Sequence, residues 1–424
     1  MRQSNLFSKT IKEIPKEETS INAQLLIKAG YIDKLQAGVY SFLPLGHRVH
    51  EKVKNVIREE MNAVHGQEIY MPALHPKAPW AKTGRWESET EVMFQFVGRG
   101  DKDLGLGWTH EEVVTPLGKK FIQSYKDLPK AVYQIQDKFR NERRAKSGLL
   151  RGREFSMKDL YSFHISEEDL SRYYDDVLGA YERIFKRLGL DALLVEASGG
   201  AFSKYSHEFQ VVTKYGEDII FVCEKCGRNQ NKEIIEENAC PGCGAKREEK
   251  KAIEVGNIFK LKTRYSDAFD FKVQDKDGTL KEVHMGCYGI GPSRVMGTIV
   301  EVSHDDNGVI WPKEVTPYQV HLLALSGKEG DTIKEIADET YELFKKEGLE
   351  VLYDDRDSVS PGEKFADADL YGMHIRVVVG KKSMGSGDPH VEVTRRDGAG
   401  LDFVDKQGRA SSADAAVKIK EYYR

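Results

Sequence analysis

The sequence predicts a mixed α/β protein with more than one domain. Apolar residues recur at three- and four-residue intervals over 45–66 and 166–189, which is typical of amphipathic helices. Strand-like apolar runs lie between these segments, and an alternating β-α-β-α-β pattern follows Tyr318. With 424 residues and 40% hydrophobic content, the chain has enough apolar material for large cores. Usual domain sizes then suggest roughly two to four domains.

The first predicted helix lies between Leu45 and Gly66, with arginine, lysine and glutamate between its apolar positions. Glycine is a frequent helix terminator, so we expect the helix to end at Gly66. The apolar segment 67–74 that follows is predicted as a strand. Because Pro72 has no N–H to donate to a ladder, this strand is expected at an edge or an interface.

A second helix is expected to begin after Ser166, since Asp169 three residues later is typical of a helix N-terminus. Between 197 and 251 the pattern weakens and glycines and polar residues dominate, which predicts a small inserted module. Strand-like runs return over 258–271 and 284–290.

The clearest domain boundary is the segment from Trp311 to Pro317, because its two prolines cannot belong to one regular element. The sequence predicts a larger domain in two parts, 1–196 and 252–311, with an inserted module at 197–251 between them. A final α/β domain is predicted over 318–424.

Composition excludes several classes of protein. The first twenty residues are polar and carry charges of both signs, so they do not resemble a secretion signal. No run of roughly 18 apolar residues suits a bilayer span. We therefore expect a cytoplasmic protein that does not enter a membrane. The net charge of −4 leaves nucleic-acid binding open, because cations need only be concentrated where phosphates lie.

Four of the five cysteines form two close pairs, Cys223-x-x-Cys226 and Cys240-Pro-Gly-Cys243, each followed by a glycine. Two such turns supply the four thiolates of a tetrahedral Zn²⁺ site. The alternative is four reduced cysteines without a metal. We expect a structural zinc.

The densest charged segment runs from Lys138 to Phe155. ATP offers phosphates that suit a guanidinium, an exocyclic amine that suits a carboxylate, and an adenine face that suits an aromatic ring. Arg140, Glu142 and Phe155 match these needs. Taken alone, however, a cationic loop is more often a solvated face, so this segment leaves both interpretations open.

A second glycine-rich segment, Gly286 to Arg294, places an arginine at a predicted helix start, where it suits a triphosphate. Its Gly-Ile-Gly piece is superficially similar to a dinucleotide loop, but Arg294 stands in place of the third glycine and no strong βαβ unit surrounds it. The sequence also contains no GxxxxGK[ST] or HExxH motif. Any use of ATP must therefore rest on another architecture.

Taken together, three segments resemble motifs 1, 2 and 3 of class II aminoacyl-tRNA synthetases. These are the helix and strand ending at Pro72, the segment Phe-Arg-Asn-Glu followed by Arg-Glu-Phe, and Gly-Ile-Gly-Pro-Ser-Arg. The strings at 108–112 (WTHEE), 158–164 (KDLYSFH) and 253–259 (IEVGNIF) narrow the resemblance to bacterial-type prolyl-tRNA synthetases. The similarity covers nearly the whole chain.

The resemblance implies a catalytic domain built on an antiparallel sheet flanked by helices, with motifs 1 and 2 in 1–196 and motif 3 in 252–311. It also implies a homodimer formed through the Pro72 region and an anticodon-binding domain over 318–424. The implied substrates are ATP, proline and tRNA(Pro), with the amino acid activated as prolyl-adenylate and passed to the 3′ end of the tRNA.

The resemblance also assigns roles to residues of the nucleotide site. Arg140 takes the α-phosphate, Glu142 and Phe155 hold adenine, and Arg151 and Arg294 lie near the β- and γ-phosphates. Arg140 and Arg294 are thus the expected catalytic residues, and Mg²⁺ is expected to accompany the ATP.

For proline, a pocket must neutralise a secondary ammonium and enclose a small apolar ring. Thr109 and Glu111 are the first candidates, with Glu111 supplying the negative charge. Asp159, His164 and Cys287 are further candidates from the matching strings. The alternatives are an ordinary strand-end histidine for His164 and a small buried thiol for Cys287.

In the last domain, Arg356, Lys364 and Lys381 are candidates for contacts with tRNA, because arginine reads base edges and lysine positions the backbone. Scattered surface charges are also the ordinary background of a protein surface.

Typical bacterial members carry a large editing domain between motifs 2 and 3, whereas only the short cysteine module lies there in this sequence. A small apolar pocket separates proline from alanine by only about 1–3 kcal/mol per methylene group. We therefore expect that this protein does not clear mischarged alanine by itself and that a separate editing factor does so.

Two other functions stay open on the sequence. One is a class II synthetase for threonine or glycine, which shares the ATP machinery. The other is a catalytically silent nucleic-acid-binding relative. The presence of Arg140, Glu142, Phe155 and Arg294 together favours retained ATP chemistry.

Overall fold

The computed structural model describes residues 1–14, 18–325, 330–384 and 389–424. The chain forms two compact units. One comprises Met1–Asp33, Ser41–Lys52 and Ile299–Arg424, and the larger one comprises Lys34–Tyr40 and Val53–Thr298. No helix among the described residues is both long and apolar enough to span a membrane.

The α-helices have the following bounds: α1 Ile21–Lys28, α2 Pro44–Ala63, α3 Lys77–Lys82, α4 Arg85–Ser88, α5 Glu111–Phe121, α6 Glu167–Arg187, α7 Arg264–Ala268, α8 Pro292–Val302, α9 Gly330–Lys346, α10 Pro361–Tyr371 and α11 Ser412–Tyr423.

The strands have the following bounds: β1 Ile32–Gln36, β2 Val39–Phe42, β3 Gln67–Glu68, β4 Leu74–Pro76, β5 Gln95–Gly98, β6 Lys102–Leu106, β7 Lys130–Phe139, β8 Glu154–His164, β9 Ala192–Ser198, β10 Tyr205–Val212, β11 Asp218–Val222, β12 Asn229–Asn231, β13 Glu248–Lys262, β14 Lys272–Gln274, β15 Leu280–Glu282, β16 His284–Ile290, β17 His304–Asp305, β18 Gly308–Val309, β19 Val320–Ala324, β20 Val351–Asp354, β21 Ile375–Val379, β22 His390–Arg395 and β23 Arg409–Ser411.

The larger unit is organised by a sheet of nine strands, counted over the described residues, in the order β10-β9-β12-β11-β13-β16-β8-β7-β3. Each of its central strands β13, β16, β8 and β7 runs antiparallel to the next one in this order. Helix α6 packs against this sheet through the apolar face that its periodicity predicted. The predicted cap is confirmed, because the side chain of Ser166 accepts a hydrogen bond from the backbone N–H of Asp169. The mixed α/β class with an antiparallel sheet is confirmed.

The strand predicted over 67–74 is interrupted. Only Gln67–Glu68 pairs with β7, and Leu74–Pro76 belongs to a separate three-stranded sheet within the described part of the chain. Between them, side chains replace the ladder: Met71 donates its backbone N–H to Gln134 Oε1 and its carbonyl accepts from Gln136. Since Pro72 has no N–H, regular pairing does not continue through this segment.

The inserted module is narrower than the sequence predicted. Strands β10 and β11, which lie inside 197–251, pair with β13 and so belong to the main sheet. Glycines and polar residues weaken their apolar alternation, but pairing along the sheet decides their structure. The four paired cysteines lie in the turns around β12 and before β13.

The smaller unit contains, among its described residues, a five-stranded sheet in the order β20-β19-β21-β22-β23. Strands β19, β20 and β21 are parallel and alternate with α9 and α10, which confirms the predicted β-α-β-α-β pattern.

The first residues of the chain also belong to the smaller unit, although the sequence placed 1–196 in one domain. Arg2 forms a parallel bridge with Tyr353 of β20, and its guanidinium lies 2.8 Å from Asp338. Thr10 donates a hydrogen bond to Asp367. These contacts join residues far apart in sequence, so no local pattern predicts them.

Gly372, which ends α10, provides a test of this unit. Its φ of +71° is in the left-handed region, and an added Cβ would lie 2.0 Å from the carbonyl oxygen of Val309. We expect Gly372→Ala to lower the free energy of unfolding by at least about 2 kcal/mol, through backbone strain and a clash. Denaturant unfolding measures this.

The matched control is Gly362→Ala in the same helix, where nothing lies within 4 Å of an added Cβ. There the free energy of unfolding should stay constant or rise by up to about 1 kcal/mol. Equal losses in both variants would contradict the assigned role of Gly372.

Candidate active site

A cavity of about 410 Å³ in the larger unit is lined by residues from β7, β8, β13 and β16, and from the turns beside them. Side chains of a strand alternate between the two faces of its sheet. In β8, Phe155, Met157 and Asp159 accordingly share the cavity face. Lys158 points to the other face, where its ammonium donates to Tyr181 Oη at 2.6 Å.

The cavity brings together eight predicted site residues that are distant in sequence: Arg140, Glu142, Arg151, Phe155, Arg294, Thr109, Asp159 and Cys287. Glu111 lies directly behind this wall, and His164 lies elsewhere.

At one end of the cavity, three arginines are held by different partners. The guanidinium carbon of Arg140 lies 5.0 Å from the ring centroid of Phe155. Burial lowers the pKa of Arg140, although nearby carboxylates, Glu254 foremost, act in the opposite direction. Arg151 Nε donates to Glu142 Oε2 at 2.9 Å. Arg294, near the start of α8 as predicted, donates from Nη1 to the carbonyl of Leu150 at 3.0 Å. At this end three guanidinium groups that suit phosphates lie close to the carboxylates of Glu142 and Glu254.

At the other end, Thr109 and Cys287 line the wall and bind the two oxygens of Glu111. Thr109 Oγ1 donates to Glu111 Oε2 at 2.6 Å, and Cys287 Sγ donates to Glu111 Oε1 at 3.3 Å. Burial and the neighbouring Glu111 hold the pKa of the Cys287 thiol well above its usual range, so it remains a neutral donor. Beside them, Lys138 Nζ lies 2.9 Å from Asp159 Oδ1. This end combines a buried carboxylate with small polar groups.

Three aromatic residues of the wall were missed in the sequence. The ring centroids of Trp108 and Phe202 lie 5.8 Å apart, and those of Phe202 and Phe259 lie 4.9 Å apart. Trp108 and Phe259 stand in two of the recognised strings, which was a usable signal. Phe202 lies in a loop shortly after two glycines, and no sequence signal marked it as a site residue. Together they give the cavity an apolar side that suits a small ring.

The structure places His164 apart from the other residues of the predicted proline site. It ends β8 but does not line the cavity, and its Nδ1 lies 2.9 Å from Asp169 Oδ2 at the start of α6. Burial lowers the pKa of His164, and the bond to Asp169 opposes that shift. This position is that of an ordinary histidine at the end of a strand, which was the alternative interpretation.

The four paired cysteines meet in space. Their sulfur atoms all lie within 4.8 Å of one another, with Sγ to Sγ distances of 3.5 Å for Cys223 and Cys243 and 3.5 Å for Cys226 and Cys240. A tetrahedron of sulfurs around Zn²⁺ with bonds of about 2.3 Å has edges of about 3.8 Å. The cluster therefore fits a tetrahedral metal ion closely.

The glycines after each pair have the conformation that such turns require. Gly227 and Gly244 have φ of +73° and +70°, in the left-handed region. Their N–H groups donate to the carbonyls of Cys223 and Cys240, each at 2.8 Å.

The three candidates for tRNA contact lie in the smaller unit and differ in accessibility. Lys364 is only 1% exposed and its ammonium donates to the carbonyl of Ala324 at 2.7 Å, so it faces the protein interior. Arg356 is partly buried and paired with Asp354 and Asp367 at 2.6 and 2.9 Å. Lys381 is exposed in a short 3₁₀ turn.

Two protein-family models match successive parts of the chain. Residues 94–303 match the model of the class II tRNA synthetase core domain (G, H, P, S and T). Residues 319–418 match the anticodon binding domain.

Curated relatives match over nearly the full chain. The "Proline--tRNA ligase" of Persephonella marina is 35% identical over 551 aligned residues, which cover 94% of this chain and 97% of the relative. That of Thermotoga maritima is 32% identical and covers 100% of this chain and 99% of the relative.

Two solved structures share the fold. A prolyl-tRNA synthetase of Giardia lamblia in complex with prolyl-adenylate has a TM-score of 0.77 at 20% identity and covers 95% of this chain and 78% of its own. That of Cryptosporidium parvum, complexed with L-proline and AMP, has a TM-score of 0.73 at 19% identity, with 95% and 74% covered. The predicted class II core and anticodon-binding domain are confirmed, and the chain belongs to the proline--tRNA ligase family of class II aminoacyl-tRNA synthetases.

Proposed function

We propose that this protein activates proline with ATP to form prolyl-adenylate and transfers the prolyl group to the 3′ end of tRNA(Pro). One observation carries the proposal: Arg140, Phe155 and Arg294, distant in sequence, line one cavity together with Thr109 and Cys287. Three guanidinium groups lie at one end of this cavity and suit the phosphates of ATP, and the buried carboxylate of Glu111 lies behind the wall at the other end and suits the ammonium of proline.

In the first step, an oxygen of the proline carboxylate attacks the α-phosphorus of ATP, and pyrophosphate leaves with the electrons of the broken P–O bond. The carboxylate is already ionised at neutral pH, so no general base is needed. Arg140 stabilises the α-phosphate, while Arg151 and Arg294 bind the β- and γ-phosphates. Phe155 and Glu142 hold the adenine.

Mg²⁺ is proposed to accompany the ATP. The carboxylates of Asp218 and Glu254 line the same cavity beside Arg294, and carboxylate oxygens are the protein ligands that Mg²⁺ prefers. The ion supplies further neutralisation of the phosphate charge.

In the second step, the 3′-hydroxyl of the terminal ribose attacks the carbonyl carbon of the adenylate. The new ester bond forms, AMP leaves with the electrons of the broken C–O bond, and the hydroxyl proton is released. Thr109, Glu111, Asp159 and Cys287 are proposed to hold the amino acid during both steps. The aromatic side formed by Trp108, Phe202 and Phe259 encloses the proline ring.

Binding of the anticodon is proposed for the smaller unit, with Arg356 and Lys381 among its contacts. The salt bridges of Arg356 to Asp354 and Asp367 hold its guanidinium in place, which suits recognition of a base edge. We also propose a homodimer formed around Pro72, because Tyr70 and Leu74 on either side of it are exposed apolar residues. The protein is proposed to act in the cytoplasm, because its proposed substrates are tRNA and ATP.

The aligned span of the Persephonella marina relative, 551 positions, is longer than this chain of 424 residues, so that relative carries segments without a counterpart here. We propose that clearance of mischarged alanine depends on a separate editing factor.

The proposed activity is tested by proline-dependent exchange of pyrophosphate into ATP. We expect Arg140→Ala to lower the exchange rate by about 10²- to 10³-fold, because the charge that stabilises the α-phosphate in the transition state is lost. Circular dichroism checks that the variant is folded. The matched control is Arg143→Ala, which removes an exposed cation of the same loop that does not line the cavity.

Exchange that depends on threonine or glycine instead would favour another class II synthetase. A silent wild type would favour a nucleic-acid-binding relative. Either result contradicts the proposal.

A structural Zn²⁺ is proposed for Cys223, Cys226, Cys240 and Cys243. We expect one equivalent of zinc per chain by elemental analysis, reduced in Cys226→Ser, with a lower unfolding temperature after chelation, because the metal holds the two turns together. Cys287→Ser is the control for zinc content, since this cysteine lies apart in the cavity wall. Purified protein without zinc, and with an unfolding temperature insensitive to chelator, would contradict the assignment.

The position of His164 predicts that this residue contributes to the stability of the protein but not to the binding of proline. His164→Ala removes the bond to Asp169 and should lower the free energy of unfolding by about 1–2 kcal/mol. The KM for proline should not change. Thr109→Val, which removes the bond to Glu111, should instead raise the KM for proline. A raised KM in the His164 variant would restore that residue to the proline site.

A further inference from the structure

Behind the amino-acid end of the cavity, three buried charges form a cluster that the proposed chemistry uses only in part. Arg85 is 2% exposed, and Glu111 and Glu112 are 0% exposed. Arg85 Nη1 lies 2.9 and 3.2 Å from the two oxygens of Glu112, but 3.5 Å from Glu111 Oε2. The guanidinium is therefore paired first with Glu112, which also accepts from Thr83 Oγ1 at 2.9 Å.

Aromatic rings isolate this cluster from water. The guanidinium carbon of Arg85 lies 4.5 Å from the ring centroid of Trp108, 5.2 Å from that of Phe202 and 5.3 Å from that of Trp80. Its Nε and Nη2 atoms have no hydrogen-bond partner among the described residues. In such surroundings the charges of the cluster are weakly screened.

Glu111 is bound differently from Glu112. Its two closest partners, Thr109 at 2.6 Å and Cys287 at 3.3 Å, are neutral donors, and both line the cavity. The charge of Glu111 thus lies directly behind the wall that a substrate ammonium would meet, and its ion pair with Arg85, at 3.5 Å, is longer than either of these bonds.

The charges of the cluster sum to one negative when both carboxylates are ionised. A bound amino acid brings one positive ammonium, so the count is matched. Without the charge of Glu112, the carboxylate closest to Arg85 would be Glu111, which would then become the partner of a buried guanidinium. The ammonium would have to compete for it.

We infer that Glu112 is a specificity-determining residue: as the counter-ion of Arg85, it leaves the charge of Glu111 for the ammonium of the bound amino acid. Arg85 is the positioning residue of the pair, and the inference rests on the proposed function. The role differs from that of Glu111, because Glu112 is bound to Arg85 and Thr83 rather than to the residues that line the cavity.

Burial disfavours the charged form of both members of the pair. Burial raises the pKa of Glu112 to about 7, Arg85 acts to lower it and Glu111 acts to raise it. Burial by itself would lower the pKa of Arg85, but Glu112, Tyr265 and Glu111 together raise it above its usual value. An ammonium placed beside Glu111 adds positive charge and favours the ionised form of Glu112.

The test is Glu112→Gln, which keeps the shape and the acceptor for Thr83 but removes the charge. We expect the dissociation constant for proline to rise about tenfold or more, because a buried charge pair is broken, while the KM for ATP is unchanged. Cyclopentanecarboxylate serves as a second ligand, since its ring has the same size but lacks the amine. We expect the inhibition constant of cyclopentanecarboxylate to stay nearly constant in the variant. The ratio of this inhibition constant to the dissociation constant for proline should therefore fall about tenfold or more. Damage to the shape of the pocket alone would weaken both ligands alike and leave that ratio constant.

The double variant Arg85→Met, Glu112→Gln removes both members of the pair and returns the cluster to one negative charge. Its affinity for proline and its ligand ratio should recover to within about threefold of wild type. The control is Glu87→Gln, which removes the same charge from an exposed position of α4 and should change neither quantity.

The outcomes separate this inference from the proposed function. A wild type without proline-dependent exchange refutes the proposed function. An active wild type, with a Glu112→Gln variant that keeps its proline affinity and ligand ratio, refutes the inference alone. A double variant whose proline affinity is no higher than that of Glu112→Gln also refutes the inference. Arg85 would then be needed to hold Glu111 in place rather than compete for its charge. If Glu112→Gln does not fold, the double variant, which removes the Arg85 guanidinium together with its counter-ion, decides by its ligand ratio.

Discussion

The candidate active site depends on the register of β8 between its two neighbours. Asp159 is paired with Gln134 of β7 on one side and with Gly289 of β16 on the other. Because side chains alternate along a strand, a slip of one residue would turn Phe155 and Asp159 away from the cavity and bring Lys158 into it. The hydrogen bond of the Lys158 ammonium to Tyr181 on the far face opposes that slip. One pairing pattern thus places residues of motifs 2 and 3 around a common space.

The second constraint is electrostatic. The cavity wall buries groups of both signs, and each buried charge costs desolvation energy unless it is paired. Lys138 is paired with Asp159, and Arg85 with Glu112. Arg140 is stacked on Phe155 instead, and burial lowers its pKa. Glu111 lies closer to the neutral donors Thr109 and Cys287 than to Arg85, which is 3.5 Å away. Such preorganised, incompletely compensated charge is typical of a binding site rather than of a stabilising core.

Where charge served as the only signal, the sequence was a weaker guide. Lys364 and Arg356 were chosen as surface cations, but Lys364 is buried against the carbonyl of Ala324 and Arg356 is held by two aspartates. The distinction depends on how the ends of three parallel strands meet, and a linear pattern of charges does not contain that information. His164 illustrates the same limit, since its neighbours in the string line the cavity while its own ring is turned toward α6.

Local periodicity and spacing were sufficient for a large part of the molecule. The repeats of α2 and α6, the cap at Ser166, the two cysteine turns with their glycines and the β-α-β-α-β order of the smaller unit all depend on residues close in sequence, so the sequence alone determined them. Only the tertiary structure decided that the residues at 1–33 belong with the C-terminal unit, that β10 and β11 join the main sheet, that Phe202 closes the aromatic side of the cavity, and that Arg85 lies against Glu112. Each of these features joins segments that are not neighbours along the chain or turns a side chain to one of two faces, and the free energy that selects among such contacts comes from packing and desolvation in the assembled fold.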